Sequence, residues 1–262
     1  ALYFSLPLLS VLSRAVTHMI PLSAEKRLGD WTLTTMEEEF PVCADKEAVA
    51  HLQKIANRLS LASGDTPLSP DIHLYKTSLV NAFTLPGQKM AVLGGFLQNA
   101  TSENEIAGVL AHEMGHMAKR DALEAFVESQ GISVLAVMIG GSSAYGDAAK
   151  TAALFQSLSY SRKKEFAADA FGTNLLTRAH YTTAGLSDFL EKSKSIDNNE
   201  IRKVFEHVDI LSTHPNTDER IRRIKAMPSL RDYTPQLTQA EFLHLKSACA
   251  PAPRPWRPSA RR

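Results

Sequence analysis

The stretch TSENEIAGVLAHEMGHMAKR, Thr101 to Arg120, decides how the chain is read. Ser102 with Glu105 three positions on has the form of a capping box, which predicts a helix start here. Ile106, Val109, Leu110 and Met114 recur at helical spacing and give an apolar stripe. Within that helix lies His112-Glu113-Met114-Gly115-His116, an H-E-x-x-H. Positions i and i+4 of a helix share a face, so the two imidazoles point the same way. Neutral imidazoles held like this can take two corners of a zinc tetrahedron. Glu113 sits beside such a metal without filling a corner, where a general base for a zinc-activated water belongs. The plain alternative is a polar face of an ordinary helix, but imidazoles on an apolar, capped helix need partners.

A catalytic site of this kind needs a third protein ligand and one open position. Downstream, YSRKKEFAADAFG, Tyr160 to Gly172, reads as a helix with Glu165 and Asp169 four apart on one face. Glu165 as third ligand makes a His2Glu set suited to zinc. Asp169, one turn on, is placed to accept a hydrogen bond from a ligand histidine and fix its tautomer. The competing reading is a surface salt-bridge ladder with Arg162, Lys163 and Lys164. The first helix tips the balance toward the ligand.

With HEMGH, then SRKKEFAAD, then STHPNTDERI, and NAFTLPG and VLGGFL upstream, the chain resembles the zinc metallopeptidases that include HtpX and the CAAX prenyl endopeptidases, of the gluzincin type. The resemblance runs from about Asp45 to Met227. It implies one zinc per chain held by His112, His116 and Glu165, Glu113 as catalytic base, and Asp169 in support. It also implies an α+β, mainly helical zincin domain with a small β-sheet beside the H-E-x-x-H helix. The strand carrying Asn81, Ala82 and Phe83 corresponds to an exposed edge beside the cleft, where an extended substrate can add by backbone hydrogen bonds. Arg220 reaches back to the site in such proteins, its alternative being a surface cation. Asp121 departs from the family pattern, where many relatives have histidine or asparagine, and lies past the ligands. His214 stands just before Pro215 at a helix start, a restrained position that suits a hydrogen-bond donor to developing charge. The resemblance puts it near the open zinc position, as that donor or as a fourth ligand holding the enzyme latent. The need for an open water position favours the donor.

At 262 residues and 44% hydrophobic content, one catalytic domain of about 200 residues with tails is the natural size. A net charge of +1 leaves no electrostatic footprint for nucleic acid. The two cysteines, Cys43 and Cys249, cannot form a disulfide framework; they are a single bridge, or two buried or free thiols. The division expected is an apolar N-terminal segment and linker at 1–30, the catalytic domain at 31–228, and a Pro/Arg-rich tail at 229–262. Residues 1–13 are apolar but too short to span a bilayer; they read as an anchor remnant, a signal remnant or a packed segment, with membrane tethering preferred.

Along the chain, Pro21, Ser23 and Gly29 read as linker and Trp31 to Thr34 as a short strand. Asp45 to Leu61 reads as a helix, Asp71 to Tyr75 as a strand with His73 on its polar side, and Asn81 to Leu97 as two strands around Pro86-Gly87-Gln88. Gly94 and Gly95 allow close backbone approach or a plain turn. Helices follow at Asp121 to Met138, Ser187 to Lys194, Ile201 to Val208 and Asn216 to Ala226, with Gly140 to Gly146 a connector or lid. From Pro228 the chain reads as irregular. His18, His51, His180, His207 and His244 have no ligand spacing. The function expected is peptide-bond hydrolysis in cell-envelope quality control, on unfolded or membrane-associated polypeptides, with a periplasmic-facing domain. Its rivals are a silent zinc-binding, chaperone-like module and a zinc hydrolase of other amides or esters.

Overall fold

The computed structural model describes residues 13–129, 160–195, 214 and 217–249. The second half of the helix read at Asp121 to Met138, Gly140 to Gly146, Ile201 to Val208 and the end of the Pro/Arg-rich tail lie outside those residues, as does nearly all of the apolar N-terminal stretch. The elements are α1 (Leu22–Glu39), α2 (Lys46–Ala62), β1 (Asp71–Tyr75), β2 (Ala82–Leu85), a 3-10 turn (Pro86–Gln88), β3 (Lys89–Leu93) and α3 (Gly94–Asn99). After them come α4 (Glu103–Lys119), α5 (Arg162–Arg178), α6 (Ala184–Ser193), α7 (Thr217–Lys225) and α8 (Gln239–Ser247). Residues 13–19 and 121–129 are also helical. This is the expected α+β class, mainly helical with one small sheet. Among the described residues no helix is long and apolar enough to cross a membrane.

β3 is the middle strand, parallel to β1 and antiparallel to β2. Side chains alternate across a strand, and here both faces are covered. Ile72, Leu74, Ala82, Met90 and Val92 join the main core with the helices α2 and α4. Tyr75, Phe83, Leu85, Ala91 and Leu93 join a second cluster with Leu33, Met36 and Phe40. That second cluster corrects the reading of Trp31 to Thr34 as a strand and its surroundings as linker. Leu28, Thr32, Met36 and Phe40 fall at four-residue spacing and are all buried, so packing on the sheet outweighs the β-preference of the threonines. The threonines fit by bonding back one turn: Thr32 Oγ1 donates to Gly29 O at 2.8 Å and Thr35 Oγ1 to Trp31 O at 3.2 Å.

α4 starts as expected, with Ser102 Oγ accepting from Glu105 N at 3.2 Å. The return half of the box is displaced by one residue, since Glu105 accepts from Thr101 N at 2.8 Å. Its residues from Glu103 to Met117 are buried, which makes α4 the central helix of the domain. Three glycines let its neighbours approach closely. A Cβ on Gly108 would stand 2.5 Å from Leu186 N of α6, one on Gly115 2.7 Å from Ala168 O of α5, and one on Gly172 2.9 Å from Ala111 O of α4. α8 corrects the reading of the chain beyond Pro228 as irregular. Thr238 and Glu241 form a full capping box there, and Cys249 just past the helix is bridged to Cys43, with Cα atoms 5.6 Å apart.

Candidate active site

α4 carries His112, Glu113 and His116; α5, docked through Gly115 and Gly172, brings Glu165 and Asp169 against them. His214 stands at the same point, and α7 adds Arg220. All seven side chains are buried. The surface-ladder alternative for Glu165 and Asp169 is thereby overturned, as is the surface-cation alternative for Arg220.

The His112 and His116 Nε2 atoms are 3.2 Å apart. His112 Nε2 lies 3.5 Å from Glu165 Oε2, and His116 Nε2 lies 3.4 Å from Glu165 Oε1. His214 Nδ1 stands 3.3 Å from His112 Nε2 and 3.1 Å from Glu165 Oε1. A tetrahedron with arms of about 2.0–2.1 Å has edges of about 3.3 Å, so the spacing fits a small cation with nitrogen and oxygen ligands. Lone pairs turned on one point in a dry interior repel unless a proton or a metal stands among them. The donor set therefore suits a divalent metal.

Around this set each group has a holder. His112 Nδ1 lies 2.9 Å from Asp169 Oδ1. Arg220 grips Asp169 with two nitrogens, Nε at 2.9 Å and Nη2 at 2.8 Å, and reaches Glu165 Oε2 with Nη1 at 2.7 Å. Asp121, which sequence reading left aside as a family departure, holds His116 Nδ1 at 2.8 Å. The left-handed backbone of Arg120, φ 55°, ends the helix just before Asp121, whose carboxylate meets the Nδ1 edge of the ring. Tyr160 stacks on the His116 ring, with centroids 4.1 Å apart. Glu113 points away from the four donors: its Oε2 accepts from Thr84 N at 2.8 Å, and its Oε1 is 3.4 Å from His214 Nε2. Thr84 was not singled out from the sequence, and only the sheet's docking on α4 reveals it. Asp121 could have been found from its place five residues after His116.

Burial works against charge on His116, yet Asp121 and Glu165 beside it prevail and push its pKa up to about 10. His112 is raised in the same way, with Asp169 and Glu165 prevailing over burial and Arg220. His214 goes the other way, its burial outweighing the nearby carboxylates. Burial also opposes ionisation of Glu165, but the His214, His112 and His116 rings hold its carboxyl well below the ordinary range. For Asp169, Arg220 overcomes burial and brings the pKa down to about 2.

Asn81, Ala82 and Phe83 lie at the sheet edge as the strand order requires, but they are not exposed: each is fully buried. The expectation of an open edge is corrected on that point. Phe83 is packed under α1, and Thr84 N beyond it is already spent on Glu113.

Fold and site together have the form of the metallopeptidases of the H-E-x-x-H class. The chain belongs to Peptidase family M48, whose model matches residues 46–228. It is 26% identical over 228 residues to Mitochondrial metalloendopeptidase OMA1 of Schizosaccharomyces pombe, covering 80% of this chain and 66% of that protein. It is 23% identical over 240 residues to the Beta-barrel assembly-enhancing protease of Yersinia pestis, covering 87% of this chain and 48% of that one. Against Metalloprotease YcaL of Escherichia coli it is 32% identical over 183 residues, covering 66% and 67%. The chain thus spans about half to two thirds of the length of these relatives. The resemblance read from the motifs is right at the level of the family, while the relatives named here are not HtpX or the CAAX prenyl endopeptidases.

Proposed function

We propose that the chain is a zinc metalloendopeptidase in which His112, His116 and Glu165 hold the metal and Glu113 is the general base. A zinc ion there would supply Lewis acidity toward the scissile carbonyl and make a water acidic. Glu113 takes the proton of the attacking water and later delivers it to the leaving amine nitrogen. The observation that carries this reading is the position of Glu113, beside the donor set but hydrogen-bonded to Thr84 instead of joining it. A silent zinc module has no use for a carboxylate held in that way. Asp169 and Arg220 position His112 and Glu165 in this reading.

The substrates are polypeptides, and the setting we propose is protein quality control at a membrane or cell envelope. The relatives' names, an assembly-enhancing protease and a mitochondrial metalloendopeptidase, support it. The Cys43–Cys249 bridge supports an oxidising compartment, such as a periplasm. Residues 1–30 are proposed as the membrane-proximal segment.

The test is digestion of casein by the zinc-loaded chain and by Glu113→Gln. We expect turnover to be lost while zinc content stays at the wild-type level. Loss of zinc in the variant would reverse the division of roles, and a chain inert on casein both as wild type and as His214→Ala would favour a chaperone-like module or a hydrolase of other amides and esters.

A further inference from the structure

A second set of metal-type ligands lies outside the site described above, where α2 meets α8. Glu47 and His51 are one turn apart on α2, and His244 is in the last turn of α8. The spacing of His51 and His244 along the chain says nothing, but packing brings their rings to 5.5 Å between centroids at 89°. One donor atom from each of Glu47, His51 and His244 lies within 4.8 Å of the others.

The proton pattern of the two rings is that of ligands in waiting. His244 Nε2 stands 3.0 Å from Asp45 Oδ2, which keeps the ring proton on Nε2 and leaves Nδ1 a bare lone pair. That Nδ1 is buried and has no hydrogen-bond partner. His51 is 7% exposed, and its Nε2 is likewise buried without a hydrogen-bond partner. Glu47 Oε1 is 3.8 Å from this nitrogen, too far to be a hydrogen bond, on a side chain 74% exposed and free to swing inward. Buried polar atoms are nearly always satisfied, so two orphaned imidazole nitrogens at one helix crossing ask for a common partner.

The remaining charged neighbours do not supply it. Glu241 Oε1 is 3.9 Å from His51 Nδ1, but it is engaged by Lys54 Nζ at 3.2 Å. Its Oε2 closes the capping box on Thr238 N at 2.6 Å. Asp45, besides facing His244, caps α2 by accepting from Ala48 N at 3.0 Å.

We propose that Glu47, His51 and His244 form a second metal site, one that takes a zinc-like divalent cation and clamps α8 onto α2. Two imidazole nitrogens and one carboxylate suit a late first-row metal, with water completing the shell, and they do not suit calcium or magnesium, which demand oxygen ligands. The Asp45–His244 contact is the carboxylate support such a histidine ligand normally has. The clamp holds the same two segments that the Cys43–Cys249 bridge ties just beyond their ends.

The experiment is equilibrium dialysis of the full chain against buffered zinc chloride, with bound zinc counted by mass spectrometry. Wild type, His244→Gln and Glu47→Gln are compared. We expect both variants to hold about one zinc fewer per chain than wild type at the concentration that just saturates wild type, with that site weakened about 100-fold. Casein turnover at matched active-centre zinc should not change. The difference of one is independent of the centre at His112: if that centre bound nothing, the count would fall from one to zero instead of two to one. Equal zinc in wild type and Glu47→Gln overturns the proposal. Glu47 is exposed enough that its variant keeps the fold, so it decides the matter even if His244→Gln does not fold.

Discussion

The His214 ring turns Nδ1 to the three other donors and Nε2 to Glu113, and each face has its own consequence. At 3.1 to 3.3 Å from its neighbours, Nδ1 has the spacing of a fourth ligand, which supports the latent role over the donor role preferred from sequence alone. As a ligand, His214→Ala weakens zinc binding and raises basal proteolysis. As a donor, the same change lowers kcat by roughly 100-fold or more with zinc affinity nearly unchanged. We expect the first outcome; zinc retention against a chelator and the casein rate, read on one variant, decide it. His116 gives a second prediction at this scale. Its pKa is raised to about 10, so its proton is held at neutral pH and is lost only as pH rises through that value. A metal must displace that proton, so zinc affinity falls as pH falls. Adding zinc to the metal-free chain in weak buffer at neutral pH should release protons, counted with an indicator dye. Binding with no release would sink this account of the site.

At the scale of elements, the distance between α4 and α5 sets the distance between the two histidines and Glu165. Gly115 is where that spacing is fixed, because the obstacle to a side chain there is the α5 backbone at Ala168. Gly115→Ala must push the helices apart at a cost of about 1–3 kcal/mol. It should also loosen zinc binding, since Glu165 moves with α5. Urea denaturation and chelator competition read the two effects, and a variant unchanged in both would mean that α4 and α5 tolerate separation. The start of α4 was legible because a cap and an apolar period are local signals, whereas α1 was not. Its threonines prefer strands, and only the sheet that Met36 and Phe40 cover makes the helix the better solution.

For the whole molecule, the Cys43–Cys249 bridge joins positions 206 apart and ties α8 to the start of the domain. Constraining so long a loop in the unfolded chain contributes about 2–4 kcal/mol. Reduction should lower the thermal midpoint, and Cys43→Ser should show the lower midpoint with no further response to reductant. Casein turnover well below that midpoint should be preserved, because the proposed ligands His112, His116 and Glu165 lie on α4 and α5 and not on the tied segments. A midpoint indifferent to reductant would argue that α8 is held by packing alone.

The sequence by itself determined what repeats within a few residues. The H-E-x-x-H face, the pairing of Glu165 with Asp169, β1 and the two strands around Pro86 all follow from helix and strand periods. It also determined the family, through five short stretches in order. The tertiary structure alone decided which distant groups meet: Thr84 with Glu113, Asp121 with His116, Cys43 with Cys249, and His51 with His244. The physical reason is that a period fixes only which face of an element a residue occupies. Which faces then meet depends on burying the apolar surface of the whole chain at once, and no window of sequence contains that condition.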